Sequence, residues 1–427
     1  MTDLLHFDQT SALHALRVNQ GRMQEHLALH RGNIDIFAEQ LAEGSFPGFS
    51  IVRQHDDLVL IDDWARDVRK RFKHLVIVGM GGASLGAHVL AGFSTPARGE
   101  KPTLHFLSNP DPVVIETLCR DLPLKDTALL AVSKSGETLE TLLSTGLILD
   151  AMTEANVSAS NRAWALTKNG ATPLAHMVQG QGGGLIRHEP DMVGRYSVFS
   201  NVGLLPGVLA GIEGRELRKG AQDALNSFTE APVAHPATQQ AAGSVLALGE
   251  GFRAEVMMPY GQQLALVGDW WAQLWAESLG KEGRGTTPVR AVGPADQHSQ
   301  LQLYADGPND KLHTFITVKP KTAGATPLSG TMASLAGKRE LNGLTADGLL
   351  HTQATATAAS LTQLKRPVRM ITLPNRSHQS LGALLMHLML TTVTAGIMWR
   401  VNPFDQPAVE DSKTRTRSLL LGGGQHG

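Results

Sequence analysis

The chain has a single cysteine, Cys119, in 427 residues. That excludes an intramolecular disulfide. The first residues also lack a basic start leading into an apolar signal core, and the two absences together predict a cytoplasmic protein. An excess of one charge is missing too. The formal net charge is −1 and the pI near 7.0, which leaves no surplus of cations to neutralise a nucleic-acid backbone or an anionic membrane. No internal repeat is visible, and low-complexity sequence is confined to the Leu-Gly tail at 419–424. One long uncharged run does occur, at 381–399, where His387 is the only residue able to carry a charge. It is long enough to span a bilayer. Three threonines and two glycines dilute it, and Arg376 and Arg400 flank both ends without an orientation signal. We read it as the buried helix of a large core and expect neither a membrane nor a nucleic-acid partner.

What is present is a large apolar complement, 42% of the residues, enough for two or three domains with sizeable cores. Up to about residue 50 the spacing of Phe7, Leu13, Leu16 and Val18, then Phe37 and Leu41 before the Pro47-Gly48 break, predicts helices. From Leu75 short aliphatic runs alternate with helical stretches. Strands are expected at 75–78, 104–107, 128–132 and 163–166, with helices at 83–93, 113–122 and 137–154. A second round follows Tyr196: helices at 198–212 and 234–249, a strand at 254–258, a tryptophan-rich helix to about 278, a strand at 313–318, another helix, a strand at 368–373, and two closing helices. Strands separated by helices of this length imply crossovers. The fold class is therefore α/β, with two α/β/α sandwiches in series, each around a parallel-rich sheet, plus N- and C-terminal helices. The expected domains are a helical segment at 1–50, a first α/β domain at 51–205, a second at 206–400, and a C-terminal helix and tail at 401–427.

Two stretches carry the chemistry. Ser133-Lys134-Ser135-Gly136-Glu137-Thr138 lies where a strand should run into a helix, placing hydroxyls and free amides at a positive helix terminus, as a phosphate site requires. Plain N-capping is the alternative, although it needs one hydroxyl rather than several. The stretch 277–298 offers the carboxylate of Glu277 and the imidazole of His298, the side chains most used for moving protons. Singly, each has a plainer reading. Glu277 sits near a helix end behind Trp270, Trp271 and Trp275, which are core or subunit-interface anchors. His298 is equally a core histidine or, with Asp296, a metal ligand, but no second pair at ligand spacing supports a metal. Glu410 and Lys413 are spaced as a helix-surface pair. The glycines of Gly79-Met80-Gly81-Gly82-Ala83-Ser84-Leu85-Gly86 permit close backbone approach to a ligand, but serine at 84 departs from a dinucleotide fingerprint and no Walker lysine follows. An anion cradle with an acid/base pair predicts proton transfer on a small phosphorylated molecule.

In combination, these segments resemble the glucose-6-phosphate isomerase (phosphoglucose isomerase) family, most closely its bacterial branch, from about 75 to 413. The family's glycine turn is matched by Gly79-Met80-Gly81-Gly82 and its phosphate loop by Ser133 to Thr138. Gly194-Arg195-Tyr196-Ser197, Glu277-Ser278-Leu279-Gly280-Lys281 and Gln297-His298-Ser299 follow in order, then Asn402-Pro403-Phe404-Asp405-Gln406 through Val409-Glu410 to Lys413. The resemblance implies sugar-isomerase-type (SIS) sandwiches. It also implies interconversion of glucose 6-phosphate and fructose 6-phosphate, in glycolysis and gluconeogenesis, through ring opening and a cis-enediol, with neither metal nor organic cofactor. Glu277 would move the proton between C2 and C1, His298 would protonate the ring oxygen with Lys413 assisting, and Arg195 would face the developing enediolate. Gly81, Gly82, Ser84, Ser133, Lys134, Ser135 and Thr138 would bind substrate, mostly at its phosphate, and Gln406 would touch the sugar. Ala83 stands where many relatives carry serine, with Ser84 as the expected substitute, while Pro407 and Ala408 fit the bacterial branch. A homodimer is implied, with His298 entering from the partner. Two alternatives stay open: wider phosphosugar specificity that includes mannose 6-phosphate, and a non-catalytic phosphosugar-binding regulator.

Overall fold

The computed structural model describes residues 5–94, 102–168, 170–321 and 324–422. Its strands are β1 (His6–Asp8), β2 (His74–Gly79), β3 (Thr103–Leu107), β4 (Thr127–Val132), β5 (Ala163–Thr167), β6 (Gly184–Arg187), β7 (Ala254–Pro259), β8 (Thr287–Arg290), β9 (Lys311–Val318) and β10 (Val368–Leu373). They form two five-stranded sheets. The first runs β3-β2-β4-β5-β6 and is parallel throughout. The second runs β1-β10-β9-β7-β8 and is parallel except for β1, which pairs antiparallel with β10, Phe7 opposite Ile371. Helices cover both faces, so the central strands β2, β4, β7 and β9 are buried almost end to end. That double burial is why β2 and β4 read as largely aliphatic runs, whereas β7 and β9 interrupt theirs with the buried polar residues Glu255, His313, Thr314 and Thr317. The two parallel-rich sandwiches expected from the alternation are both present.

Four helices position the parts discussed below: α1 (Leu139–Glu154), α2 (Ala265–Leu279), α3 (His378–Trp399) and α4 (Glu410–Gly422). The uncharged run forms α3, and 94% of its most apolar 18-residue window is buried inside the protein. It packs against the helices Gly214–Glu230 and Pro236–Gly249. The crossing is close because glycine stands at the contact on both sides: a Cβ on Gly220 would lie 1.9 Å from the Gln379 carbonyl oxygen, and one on Gly382 1.9 Å from that of Leu217. Trp270, Trp271 and Trp275 of α2 are 2%, 2% and 1% exposed, which makes them core residues of the single chain.

A buried polar chain ties the second sheet to α2. Arg369 on β10 donates to Glu255 on β7 at 2.5 Å, to Thr314 Oγ1 and Ser244 Oγ at 3.0 Å each, and to the Gln240 carbonyl at 2.9 Å. Glu255 also accepts from Thr286 Oγ1 at 3.1 Å, and Thr286 in turn accepts from the Trp275 indole N–H at 2.9 Å. Every partner of this ion pair is satisfied, which is the condition for tolerating charge in a core.

Several elements lie outside those expected. Strand β1 is three residues long, and its hydrogen-bond partner lies at the far end of the chain. No local pattern can announce such a pairing. Strands β6 and β8 are four-residue edges, half-buried at best, without an aliphatic run. The helices Asp56–Arg71 and Gly214–Glu230 are rich in charge, and Pro173–Gly180 is only eight residues long, so none of them carries a clear apolar signature.

Candidate active site

In a parallel sheet a crevice opens beyond the carboxyl ends of the strands where the chain order reverses. Here β2 is followed by β3 on one side and β4 on the other. The glycine turn after β2 and the serine-rich turn after β4 therefore border one crevice. It forms a pocket of about 340 Å³ lined by Met80, Gly81, Gly82, Ala83, Val132, Ser133, Lys134, Thr138, His188, Gly194, Arg195, Gln273, Glu277, Gln406 and Lys413. Segments more than 300 residues apart in sequence, such as Met80 and Lys413, thus meet at one place.

At one end of the pocket Ser133 Oγ and Thr138 Oγ1 lie 3.0 Å apart, and Ser133 Oγ accepts from the Gly136 amide at 3.1 Å. Thr138 is the N-cap residue of α1 but makes no side-chain capping bond. Capping therefore does not account for this hydroxyl. The amides of the first turn of α1 remain available to an anion at the positive end of a sixteen-residue helix. Lys134 lines the same wall.

At the other end, α2 presents Glu277. Its Oε1 accepts from Gln273 Nε2 at 2.9 Å and its Oε2 from Arg195 Nη1 at 3.3 Å, so two donors from different elements fix the carboxylate. Arg195, on the short turn Gly194–Tyr196, is only 2% exposed. Each of its guanidinium N–H groups has an acceptor: Ser278 Oγ at 2.8 Å, the Pro403 and Asp405 carbonyls at 2.7 and 2.9 Å, Glu277, and Gln406 Oε1. Arg195 thereby pins the C-terminal segment to α2. It presents a fixed positive charge with no donor left over. Tyr196 supports the same joint, its hydroxyl 2.9 Å from Ser278 Oγ and donating to the Pro403 carbonyl at 3.3 Å; burial pushes its pKa up to about 12. Lys281 anchors the segment from below through Asp405, 2.7 Å away. Gly82 allows these parts to meet, since a Cβ there would stand 2.4 Å from the carbonyl carbon of Gly194 and 2.7 Å from the Arg195 nitrogen.

Of the residues singled out from the sequence, Gly81, Gly82, Ser133, Lys134, Thr138, Arg195, Glu277, Gln406 and Lys413 line this pocket. Lys413 is on α4, exposed and 2.7 Å from Glu410. Three others do not line it. Ser84 is 1% exposed, with a buried hydroxyl that has no partner, behind Ala83. Ser135 is exposed, its Oγ accepting from the Glu137 amide at 3.2 Å. His298 is exposed, after the turn Ala295–Gln297. Asp296 accepts from Ser299 Oγ at 2.6 Å and from the Val292 amide at 2.7 Å, bonds that hold its carboxyl below the usual range and occupy it locally.

Two pocket residues were missed. Gln273 had a signal, since it precedes Glu277 by four positions on one helix and such pairs face each other. His188 had none, because it follows the unforeseen edge strand β6. A larger hollow of about 910 Å³ adjoins the pocket at Met80, Thr138 and Lys413 and runs between α1 and α4. Its walls are mainly leucines and aliphatic stems, so the smaller polar pocket is where proton chemistry is equipped.

The family model described as Phosphoglucose isomerase matches residues 48–317. The chain is 36% identical over 357 residues to a glucose-6-phosphate isomerase of Rubrobacter xylanophilus, covering 81% of this chain and 82% of that protein. It is 34% identical over 365 residues to one of Thermus thermophilus, covering 84% and 86%. Among solved structures, a hypothetical protein from Thermus thermophilus superposes with a TM-score of 0.78 at 28% identity, covering 98% of this chain and all of that one. A glucose-6-phosphate isomerase from Chlamydia trachomatis has the same fold, with a TM-score of 0.80 at 19% identity over 100% of this chain and 90% of the other.

Proposed function

This chain belongs to the phosphoglucose isomerase family, and on that premise we propose that it interconverts glucose 6-phosphate and fructose 6-phosphate by proton transfer through a cis-enediol. The observation that carries the reading is the pairing, in one crevice, of an open helix N-terminus beside Ser133 and Thr138 with a carboxylate held by two donors, Gln273 and Arg195. An aldose-ketose shift needs a grip on the far phosphate and one base that reaches both C1 and C2. Binding energy from the phosphate then orients the reacting carbons.

In this reading the phosphate sits on the Ser133 and Thr138 hydroxyls and the first-turn amides of α1, with Lys134 nearby. Glu277 removes the C2 proton of the open-chain aldose as the electron pair moves onto O1, a proton passes from O2 to O1 through the enediol, and the same carboxyl returns its proton to C1 as the C2 carbonyl forms. Arg195, its N–H groups already committed, acts through its charge: a fixed cation stabilises the negative oxygen only as it develops. Lys413 approaches from α4.

Ring opening needs an acid. His188 does not supply it, because its Nδ1 lies 2.8 Å from a carbonyl, that of Glu189, and must carry the ring's proton. The acid is instead His298 of a second copy, in a homodimer whose sites are each built from both subunits. The reading draws support from the exposure of His298 away from the pocket of its own chain. The lone cysteine fits a reducing cytoplasm. The direct test is turnover of fructose 6-phosphate, read through glucose-6-phosphate dehydrogenase as reduced nicotinamide. Binding without turnover would favour a regulatory phosphosugar-binding protein, and comparable turnover of mannose 6-phosphate would widen the specificity.

A further inference from the structure

His188 lies in the wall of the pocket, 4% exposed, at the carboxyl end of the edge strand β6. Its backbone is tied down by the bond from its amide to the Thr167 carbonyl at 2.8 Å. Its ring is oriented as well. The Glu189 carbonyl can only accept, so Nδ1 donates to it, and the proton of the neutral ring is thereby assigned. Burial, and secondly the nearby Lys134 charge, lower its pKa and keep the ring neutral, although the Nδ1 bond works in the opposite direction. Nε2 is then a bare acceptor, and among the described residues no hydrogen-bond partner is found for it.

The pocket is otherwise short of free side-chain acceptors. Gln406 Oε1 is taken by Arg195, both Glu277 oxygens are engaged, and Gln273 Oε1 is buried. Donors are plentiful in Ser133, Lys134, Thr138 and the helix amides. A hexose phosphate brings acceptors at its phosphate but donors at the hydroxyls of its non-reacting carbons. A buried hydroxyl left without an acceptor loses more than the bond itself.

Building on the isomerase reading, we infer that His188 Nε2 accepts a hydrogen bond from a sugar hydroxyl at C3 or C4 and so discriminates among phosphosugars by the placement of that hydroxyl. Its nearness to Lys134, on the phosphate side of the pocket, favours these middle carbons over C1 and C2, which Glu277 serves. His188 is thus a specificity-determining residue with no part in the proton transfer.

The test is a cycle between protein and substrate. Turnover of fructose 6-phosphate and of its 3-deoxy and 4-deoxy analogues is followed by NMR for the unaltered enzyme and for His188→Phe. One analogue should lose about 10-fold in kcat/KM with the unaltered enzyme, the worth of one well-made hydrogen bond. His188→Phe should lose about as much on the parent sugar and show no further penalty for that analogue. His188→Gln, which restores an acceptor, should recover part of the discrimination, something a merely structural role would not produce. Equal penalties for the analogue in both enzymes, or none in the unaltered enzyme, would overturn the assignment while leaving the isomerase reading intact. No turnover of the parent sugar by the unaltered protein would overturn both. Should His188→Phe fail to fold, His188→Asn, whose shorter side chain draws the acceptor back, makes the same comparison.

Discussion

Replacing Glu277 by glutamine separates chemistry from architecture. Glutamine has the same length and keeps one carbonyl oxygen to accept from Gln273 or Arg195, but it cannot take up a proton. The stability change should be small. The Glu277 side chain is 32% exposed and its contact with Arg195 is 3.3 Å, and a partly solvated pair of this kind contributes about 1 kcal/mol or less. For a chain this long that shifts the melting temperature by about 2 °C or less. The rate change should be large, because a positioned general base contributes about 10²–10⁴-fold, or roughly 3–5 kcal/mol of activation free energy. The protein should therefore melt almost normally, bind fructose 6-phosphate with little change in KM because the phosphate end is untouched, and lose turnover by two to four orders of magnitude. Solvent deuterium exchange at C1 of fructose 6-phosphate, followed by NMR, isolates the proton step from ring opening. Normal exchange in Glu277→Gln would refute the base assignment however the overall rate behaved. Lost exchange with a melting temperature lowered by more than about 10 °C would mean that the carboxylate is structural.

Mixing inactive Glu277→Gln with inactive His298→Ala should restore about a quarter of normal activity per site at equal mixing, since one composite site in each mixed dimer keeps both groups; mixed dimers without activity would show that each subunit works alone. Arg369→Met should destabilise the protein by about 3–5 kcal/mol, because Glu255, 2% exposed, is left charged without its cation, and adding Glu255→Gln should recover part of that in a denaturant titration; no recovery would place the loss elsewhere. Acid should unfold the protein early. Burial lowers His235 and His313 to about 4 and His387 to about 3, below the unfolded value of about 6.5, so the folded state binds fewer protons and stability falls as pH drops from about 6.5 through the folded values. A melting temperature constant between about pH 7 and 5 would refute this.

Legibility followed burial and locality. Strands β2 and β4 were foreseeable because sheets covered on both faces demand largely aliphatic runs, and β7, β9 and β10 because apolar and β-branched residues dominate them despite Glu255, His313 and Arg369. Helix α3 was legible as a buried element because the polar residues of its run at 381–399 are three threonines and one histidine: Thr391 and Thr392 bond back to carbonyls four residues earlier, and His387 Nε2 meets Gln240 Oε1 at 2.7 Å. The serine-rich turn and the Glu277 segment stood out because each is a local arrangement of chemical groups.

Sequence alone determined which groups are available: the hydroxyls at 133–138, the carboxylate at 277, the cations at 195 and 413, and the alternating pattern that makes a parallel sheet. Tertiary structure decided which of them meet. It brought Gln273 and His188 into the pocket, kept Ser84 behind Ala83 and left His298 outside its own chain's cleft. It also committed every donor of Arg195 to the joint between α2 and the C-terminal segment. The physical reason is that hydrogen-bond satisfaction and close packing depend on neighbours brought together by the sheet order and by edge pairing such as that of β1 with β10. Those neighbours lie hundreds of residues away and leave no periodic trace in the chain.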